Sequence, residues 1–156
     1  MRPCPIETDG SPRGSEENPG VPSEIAQTAF FGKTFEEALT LVIEARDYVA
    51  GRLAFDRETV KLEQQLAVDC ETLRLTSRLT HAMAWLMIQR AVHKGELTAE
   101  DARQEENRLG GHSVCLANEP ETLARLPKRL QSLMARSHAL YVRVARLDEM
   151  AGETAA

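Results

Sequence analysis

The sequence is poor in aromatic residues, which make up only 4% of its 156 residues. Its apolar fraction of 42% is ordinary for a soluble protein, so Leu, Ala, Val and Met must supply the core. These side chains favour helix packing over a β-sandwich, which draws on β-branched and aromatic residues. A chain of this length can bury one sizeable core. The composition therefore predicts an all-α domain.

Several other features are missing, and each excludes a class of protein. The net charge of -5 argues against general nucleic-acid binding, because neutralising phosphates requires a basic surface. The start of the chain has no basic segment followed by an apolar one, as a signal peptide would. Three cysteines, Cys4, Cys70 and Cys115, have no paired spacing and fit a reducing compartment. We therefore expect a cytoplasmic protein that is not inserted in a membrane.

Composition changes sharply after the first 24 residues. Residues 1–24 hold five of the seven prolines, and five acids against two bases give a local charge of -3. Such a segment has too few apolar residues to offset the entropy lost on ordering. We predict a disordered leader over residues 1–24, a helical bundle domain over 25–150 and a flexible tail over 151–156.

Helix signals predict three long helices within that domain. A capping box from Thr34 to Glu37 predicts the start of the first helix, and Gly51 weakens or ends it. Asp56 is a plausible cap for a second, central helix that continues to about His93. Gly95 then suits a left-handed C-cap. A short helix is expected from Thr98 onward.

The last helix has the most regular apolar spacing. Its buried seam steps by four and three residues, which is a heptad pattern: Leu126, Leu130, Leu133, Ser137, Leu140, Val144 and Leu147. Arginines recur every seven residues beside it, and the first helix is acidic. The sequence therefore predicts a three-helix bundle, antiparallel or mixed, with charge-matched flanks.

The central helix contains Trp85 within seven consecutive apolar residues, 82–88. A helix that is apolar on all sides has to be covered by protein on most of them, and seven residues are too few to span a bilayer, which takes about 20. Trp85 either fills the core or anchors a partner, since Trp is common at binding hot spots. We favour the core role.

No arrangement of side chains predicts catalysis. His112 and Cys115 have a spacing that some zinc sites use, but no second pair of ligands is nearby. Cys70 on an apolar face is interpreted as a small core residue, and His81 and His138 as ordinary helix residues. We therefore predict no catalytic, cofactor-binding or metal-binding residues, and we assign no partner-binding residues.

Three segments resemble the regulator of CtrA degradation (RcdA) family of α-proteobacteria, also described as DUF1465-like. They are FFGKTFEEALTLVIEARDYVA (30–50), ETLRLTSRLTHAMAWLMIQRAVHKGEL (71–97) and LPKRLQSLMARSHALYVRVARLDEM (126–150). The second segment is the most specific, and the long leader is a departure. This resemblance implies a small, homodimeric three-helix bundle without enzymatic activity.

The resemblance also implies a function. Family members act as adaptors that deliver cell-cycle regulators to the ClpXP protease, often at a cell pole and with a response-regulator-like partner. The protease and a cargo regulator are thus the expected partners. An alternative from the residues themselves is a nucleic-acid-associated regulator that uses the basic last helix, although nucleic-acid binding is disfavoured by the acidic first helix.

Overall fold

A computed structural model describes the backbone of residues 24–153 and the side chains of residues 28–153. Every regular element in this range is helical. The helices are α1 (Glu24–Gly51), α2 (Leu53–Thr59), α3 (Leu62–His93), α4 (Ala99–Ala102), α5 (His112–Cys115), α6 (Pro120–Ala124) and α7 (Lys128–Glu153), with a 3₁₀ turn at Glu105–Asn107. The predicted all-α fold is confirmed. The leader predicted over residues 1–24 lies outside the described residues except for Glu24, where α1 begins.

The long helices α1, α3 and α7 pack against one another as a three-helix bundle. Near the start of α1, the ring of Phe31 stacks on His93 at the end of α3, so these two helices are antiparallel. The ion pairs Glu37–Arg143 and Glu44–Arg136 follow opposite orders along the two helices, so α1 and α7 are antiparallel as well. Consequently α3 and α7 run in the same direction. The segment 94–127, which we call the connector, must return along the bundle between them.

The first helix begins ten residues before the predicted capping box. Thr34 lies inside α1, is buried, and donates its hydroxyl hydrogen bond to the carbonyl of Phe30 at 3.1 Å. Phe31 in this added part of the helix packs against the core, and that contact stabilises the longer helix. The capping motif was therefore a wrong boundary, because tertiary packing outweighed the local signal.

The predicted second helix is interrupted near its start. Val60 is extended, with φ of -97° and ψ of 159°, and separates α2 from α3. Just before it, the Thr59 hydroxyl donates to the carbonyl of Asp56 at 2.7 Å and so satisfies an acceptor at the helix end. Asp56 lies inside α2 rather than capping it. The other end is as predicted, with Gly95 at φ of +72° just after α3.

The seam of α7 is confirmed. Its residues from Leu126 to Val144 are buried, and Leu147 is half-buried against the core. The helix itself continues to Glu153, so residues 151–153 are helical rather than part of a flexible tail. Residues 154–156 lie outside the described range.

Trp85 is a core residue, as predicted. Its side chain is 4% exposed, and the indole Nε1–H donates to Oδ1 of Asp148 on α7 at 2.7 Å. However, Ala84 and Met87 of the same apolar run are exposed. The prediction that this run is covered on most sides is therefore wrong for the face that carries these two residues.

Candidate interaction surface

An uncovered apolar stripe runs along the outer face of α3. Leu62, Leu66, Leu73 and Met87 are 82%, 69%, 71% and 61% exposed. Their spacings of four, seven and fourteen residues place them on one side of the helix. Cys70 is also exposed on this helix, so its interpretation as a core residue is wrong. Several exposed apolar side chains on one helix face mark an interaction site more often than an isolated leucine does.

The C-terminal part of this stripe, at Met87, belongs to one wall of a groove between α3 and α1. The groove has a volume of about 590 Å³. It is lined by Val42, Ala45, Arg46, Val49, Thr76, Leu79, Thr80, Met83, Ala84 and Met87. Arg46 is the one charged residue of the lining, and its guanidinium donates to Asp47 at 2.8 Å. The lining of the groove therefore suits an apolar partner surface. The flexible side chains of Met83 and Met87 allow the groove wall to adapt to the shape of that surface.

The opposite side of α3 is closed by α7 and the connector. Arg78 on this side is completely buried. Its guanidinium donates to the carbonyls of Cys115 at 2.9 Å, Ala117 at 2.7 Å and Met134 at 3.1 Å. Burial, followed by the like charge of Arg74, lowers its pKa from the ordinary value, yet arginine remains charged in proteins. Arg78 thus joins the connector to both α3 and α7.

Two further polar contacts hold the connector in place. Asp148 is buried and accepts from Trp85 and from Nε of Arg108, the latter at 2.8 Å. The hydroxyl of Tyr141 donates to the carbonyl of Gly110 at 2.6 Å, and burial raises the pKa of that hydroxyl. Side chains from α3 and α7 therefore satisfy carbonyls of an irregular segment that has few partners of its own.

The histidines and the buried cysteine that suggested chemistry have structural roles here. The ring of His112 meets Tyr141 edge-on, with centroids 6.1 Å apart, and Cys115 is buried beneath Arg78. His81 packs against Gly110 and Gly111, where an added Cβ on Gly111 would lie 2.5 Å from its ring. Over residues 24–153, no three His, Cys, Asp or Glu side chains form a group that could hold a metal ion.

His138 and Asp101 have equally local contacts. His138 is half-buried and lies 3.2 Å, through Nε2, from the carbonyl of Leu116. Asp101 is exposed and completes a capping box with Thr98 at the start of α4. Each side chain is explained by its contact with nearby backbone. The described part of the chain thus offers a binding surface and shows no cluster suited to catalysis.

The apolar groove is the site that the sequence analysis did not identify. The nearest sequence signal is the helical spacing of Leu62, Leu66 and Leu73, which marks an apolar face of α3 outside the groove lining. Amphipathic spacing shows that residues share a face, and it does not show what covers that face.

Comparisons with known proteins identify the family. The family model described as "Protein of unknown function (DUF1465)" matches residues 23–156. The chain belongs to the DUF1465 family. Among solved structures, RcdA from Caulobacter crescentus CB15 is similar with a TM-score of 0.63 and 35% sequence identity, over 78% of this chain and 89% of that chain. The predicted resemblance to RcdA is therefore confirmed, whereas no curated protein gives a significant match.

The comparisons and the geometry agree on a helical protein of the RcdA type. Within the described residues, no helix is both long and apolar enough to cross a membrane.

Proposed function

We propose that this DUF1465 protein is a non-catalytic adaptor that promotes regulated proteolysis of cell-cycle regulators by ClpXP. The observation that supports this proposal most is the apolar groove between α1 and α3, a binding surface whose lining contains no reactive side chain. The similarity to RcdA supports the same function. An adaptor works by raising the effective concentration of cargo near the protease, which requires binding surfaces and no reactive residues.

Reconstituted degradation tests this function. Purified ClpXP is supplied with a cell-cycle regulator from the same organism, with and without this protein and a response-regulator-like partner. We expect faster loss of the regulator when the adaptor is present. Met87→Glu, which places a charge in the groove, should slow that loss. Val114→Glu is the matched control, because it adds the same charge at an exposed apolar position in α5. An unchanged degradation rate for every regulator tested would rule the function out.

The homodimer expected from the family resemblance is also a proposal, and the α3 stripe is the surface best suited to it. From Leu62 to Met87 the stripe extends about 38 Å at 1.5 Å per residue. With α1 beside it, at an interaxial distance of about 9 Å, the face is roughly 20 Å wide. It would bury on the order of 700 Å² per copy, close to the roughly 800 Å² of a standard interface.

Sedimentation velocity tests the dimer. The wild-type chain should sediment as a dimer at micromolar concentration, and the double variant Leu73→Glu, Met87→Glu as a monomer. Val114→Glu should leave the dimer intact. A wild-type monomer, or a dimer that tolerates both charges in the stripe, would show that this face has another use.

Placement in the cytoplasm at a cell pole, also expected from the resemblance, belongs to the same proposal. A fluorescent fusion should form a polar focus that depends on the response-regulator-like partner. A focus that persists in cells without that partner would contradict the dependence.

The alternative function is nucleic-acid association through α7. The surface of this helix has less unpaired positive charge than the sequence suggested. Arg136 and Arg143 are paired with Glu44 and Glu37. Phosphate binding would have to break both pairs or use other bases. Salt-dependent retention on DNA that is lost when Arg129, Arg136 and Arg143 are made neutral would favour this alternative.

A further inference from the structure

Two of the three regularly spaced arginines on α7 form a ladder of ion pairs with α1. Arg136 holds Glu44 with two hydrogen bonds, at 2.6 Å and 2.9 Å, and Arg143 pairs with Glu37. Because the helices are antiparallel, each step of seven residues back along α7 matches a step of seven forward along α1. The ladder therefore has a defined third position.

That third position has an arginine and no carboxylate. Stepping from Arg136 gives Arg129, and stepping from Glu44 gives Gly51 at the end of α1. A Cβ built on Gly51 would meet no atom within 4 Å, so the space in front of it is open. The side chains of Arg129 and Lys128 form no hydrogen bond or ion pair with other residues of the described chain.

The open position borders a notch of about 550 Å³ at the junction of α2 and α7. Three bases line the notch, Arg52, Lys128 and Arg129, against one acid, Asp56. Since Asp56 already pairs with Arg52 at 2.9 Å, Lys128 and Arg129 have no ion-pair partner in the lining of the notch. Anions are therefore attracted to this end of the bundle.

Two neutral groups add to the character of the notch. The Phe55 ring is 57% exposed and has the guanidinium of Arg52 4.7 Å from its centre. Tyr48 is completely buried close to Asp56 and Arg129, so it belongs to the core behind the notch. Burial and the Asp56 carboxylate raise the pKa of Tyr48 to about 12, so its hydroxyl stays neutral. The notch thus offers cations and an exposed apolar ring, with a neutral side chain behind them.

We propose that this notch binds an acidic peptide segment of a partner protein, with a carboxylate opposite Arg129 and a neighbouring apolar side chain on Phe55. A carboxylate is favoured because both occupied positions of the ladder use one, and the guanidinium fork matches its two oxygens. The inference rests on the proposed adaptor function for the need of a partner. It assigns that partner a docking surface separate from the α1/α3 groove.

NMR titration of the full chain tests the inference without any protease. The probe is a five-residue peptide of sequence Leu-Glu-Glu-Leu-Glu, blocked at both ends, and its neutral counterpart has Gln in place of each Glu. The acidic peptide should shift the amide signals of Gly51, Lys128 and Arg129, with an affinity of about millimolar because exposed ion pairs are weak. Raising the salt concentration should weaken the binding.

The most direct test is a variant that places a carboxylate of the chain itself at the vacant third position of the ladder. Gly51→Glu supplies an internal carboxylate to Arg129 and should weaken peptide binding about five-fold. The matched control Gly51→Gln adds a side chain of the same shape without charge and should bind nearly as well as the wild type. Arg129→Gln should also lose binding, whereas Arg143→Gln, two steps along the same helix, should retain it.

Three outcomes would overturn the proposal. These are equal binding of the neutral peptide, unchanged binding by Gly51→Glu, and larger shifts of the same amides with inorganic phosphate or single-stranded DNA. The last would assign the notch to phosphate groups instead. Because no cargo or protease takes part, each result leaves the degradation test above unaffected.

Discussion

The two sides of α3 differ in how they are covered. Towards α7 and the connector, the interior contains buried polar groups, and Arg78 and Asp148 connect segments distant in sequence. Towards the groove, α3 presents Met83 and Met87 beside α1, with no polar network. The irregular connector has carbonyls that must be satisfied, so its side needs directed hydrogen bonds. The groove side needs only apolar contact, which a partner can supply.

The largest effect is expected from Arg78→Ala. Removal leaves the carbonyls of Cys115 and Ala117 without their side-chain donor and opens a cavity, so we expect a loss of about 3 to 5 kcal/mol in the free energy of unfolding. Urea denaturation at fixed protein concentration measures it. Hydrogen exchange should show the connector losing protection before α1. A loss below about 1 kcal/mol would mean that the closed side does not depend on this guanidinium.

A matched pair of methionine substitutions compares the two sides directly. Met134 is fully buried on α7, and Met87 is 61% exposed on α3. Met134→Ala should cost about 2 to 5 kcal/mol, whereas Met87→Ala should change stability by no more than about 0.5 kcal/mol. The measurement should be repeated over a range of protein concentrations, because a dimer through the groove would make the second value depend on concentration. Equal costs at low concentration would contradict the difference between the sides.

A smaller effect is expected from Trp85→Phe. Phenylalanine keeps much of the apolar contact but removes the Nε1–H that donates to Asp148. Loss of a buried hydrogen bond to a charged acceptor should cost about 1 to 3 kcal/mol. Thermal unfolding of Trp85→Phe, Asp148→Asn and the double variant isolates the coupling. Strict additivity of the two single effects would show that the indole acts only by filling space.

The smallest effect concerns the exposed pair between Arg136 and Glu44, and it should depend on pH. The hydrogen bond from Arg136 lowers the pKa of Glu44 below its ordinary value of 4.5. A carboxyl with a lower pKa in the folded state contributes stability above its unfolded pKa and loses it as the pH falls through the folded value. Arg136→Gln should therefore cost about 0.2 to 1 kcal/mol at neutral pH and nothing measurable in strong acid.

Urea denaturation curves of the wild type and of Arg136→Gln, recorded from neutral pH to strong acid, check the prediction. Arg46→Gln is the control, because its carboxylate partner is the next residue in α1 and the pair joins no two helices. If the free energies of unfolding of Arg136→Gln and the wild type still differ in strong acid, the effect comes from packing of the aliphatic part of the arginine side chain and not from the ion pair.

Much of the bundle could be predicted because its signals are local and repeated. The spacing from Leu126 to Leu147 located the buried seam of α7, and the opposite charges of α1 and α7 anticipated the pairs of Arg136 and Arg143. Boundaries were less predictable. Thr34 does not cap α1, because the helix begins earlier and Phe31 before it packs against the core. The groove was not predicted, because an apolar stripe looks the same whether α7, a partner or solvent faces it.

The fold class and the three long helices follow from period, composition and charge in the sequence, which act over one or two helical turns. The family follows from the resemblance of segments 30–50, 71–97 and 126–150. Only the packing of distant segments buries Arg78 on carbonyls of the connector and leaves Arg129 without a hydrogen bond or ion pair to another described residue. Both depend on which residues of distant segments meet, since hydrogen bonds and ion pairs act only at short range. The order of residues along the chain does not show which distant side chains come into contact, because helix packing decides these contacts.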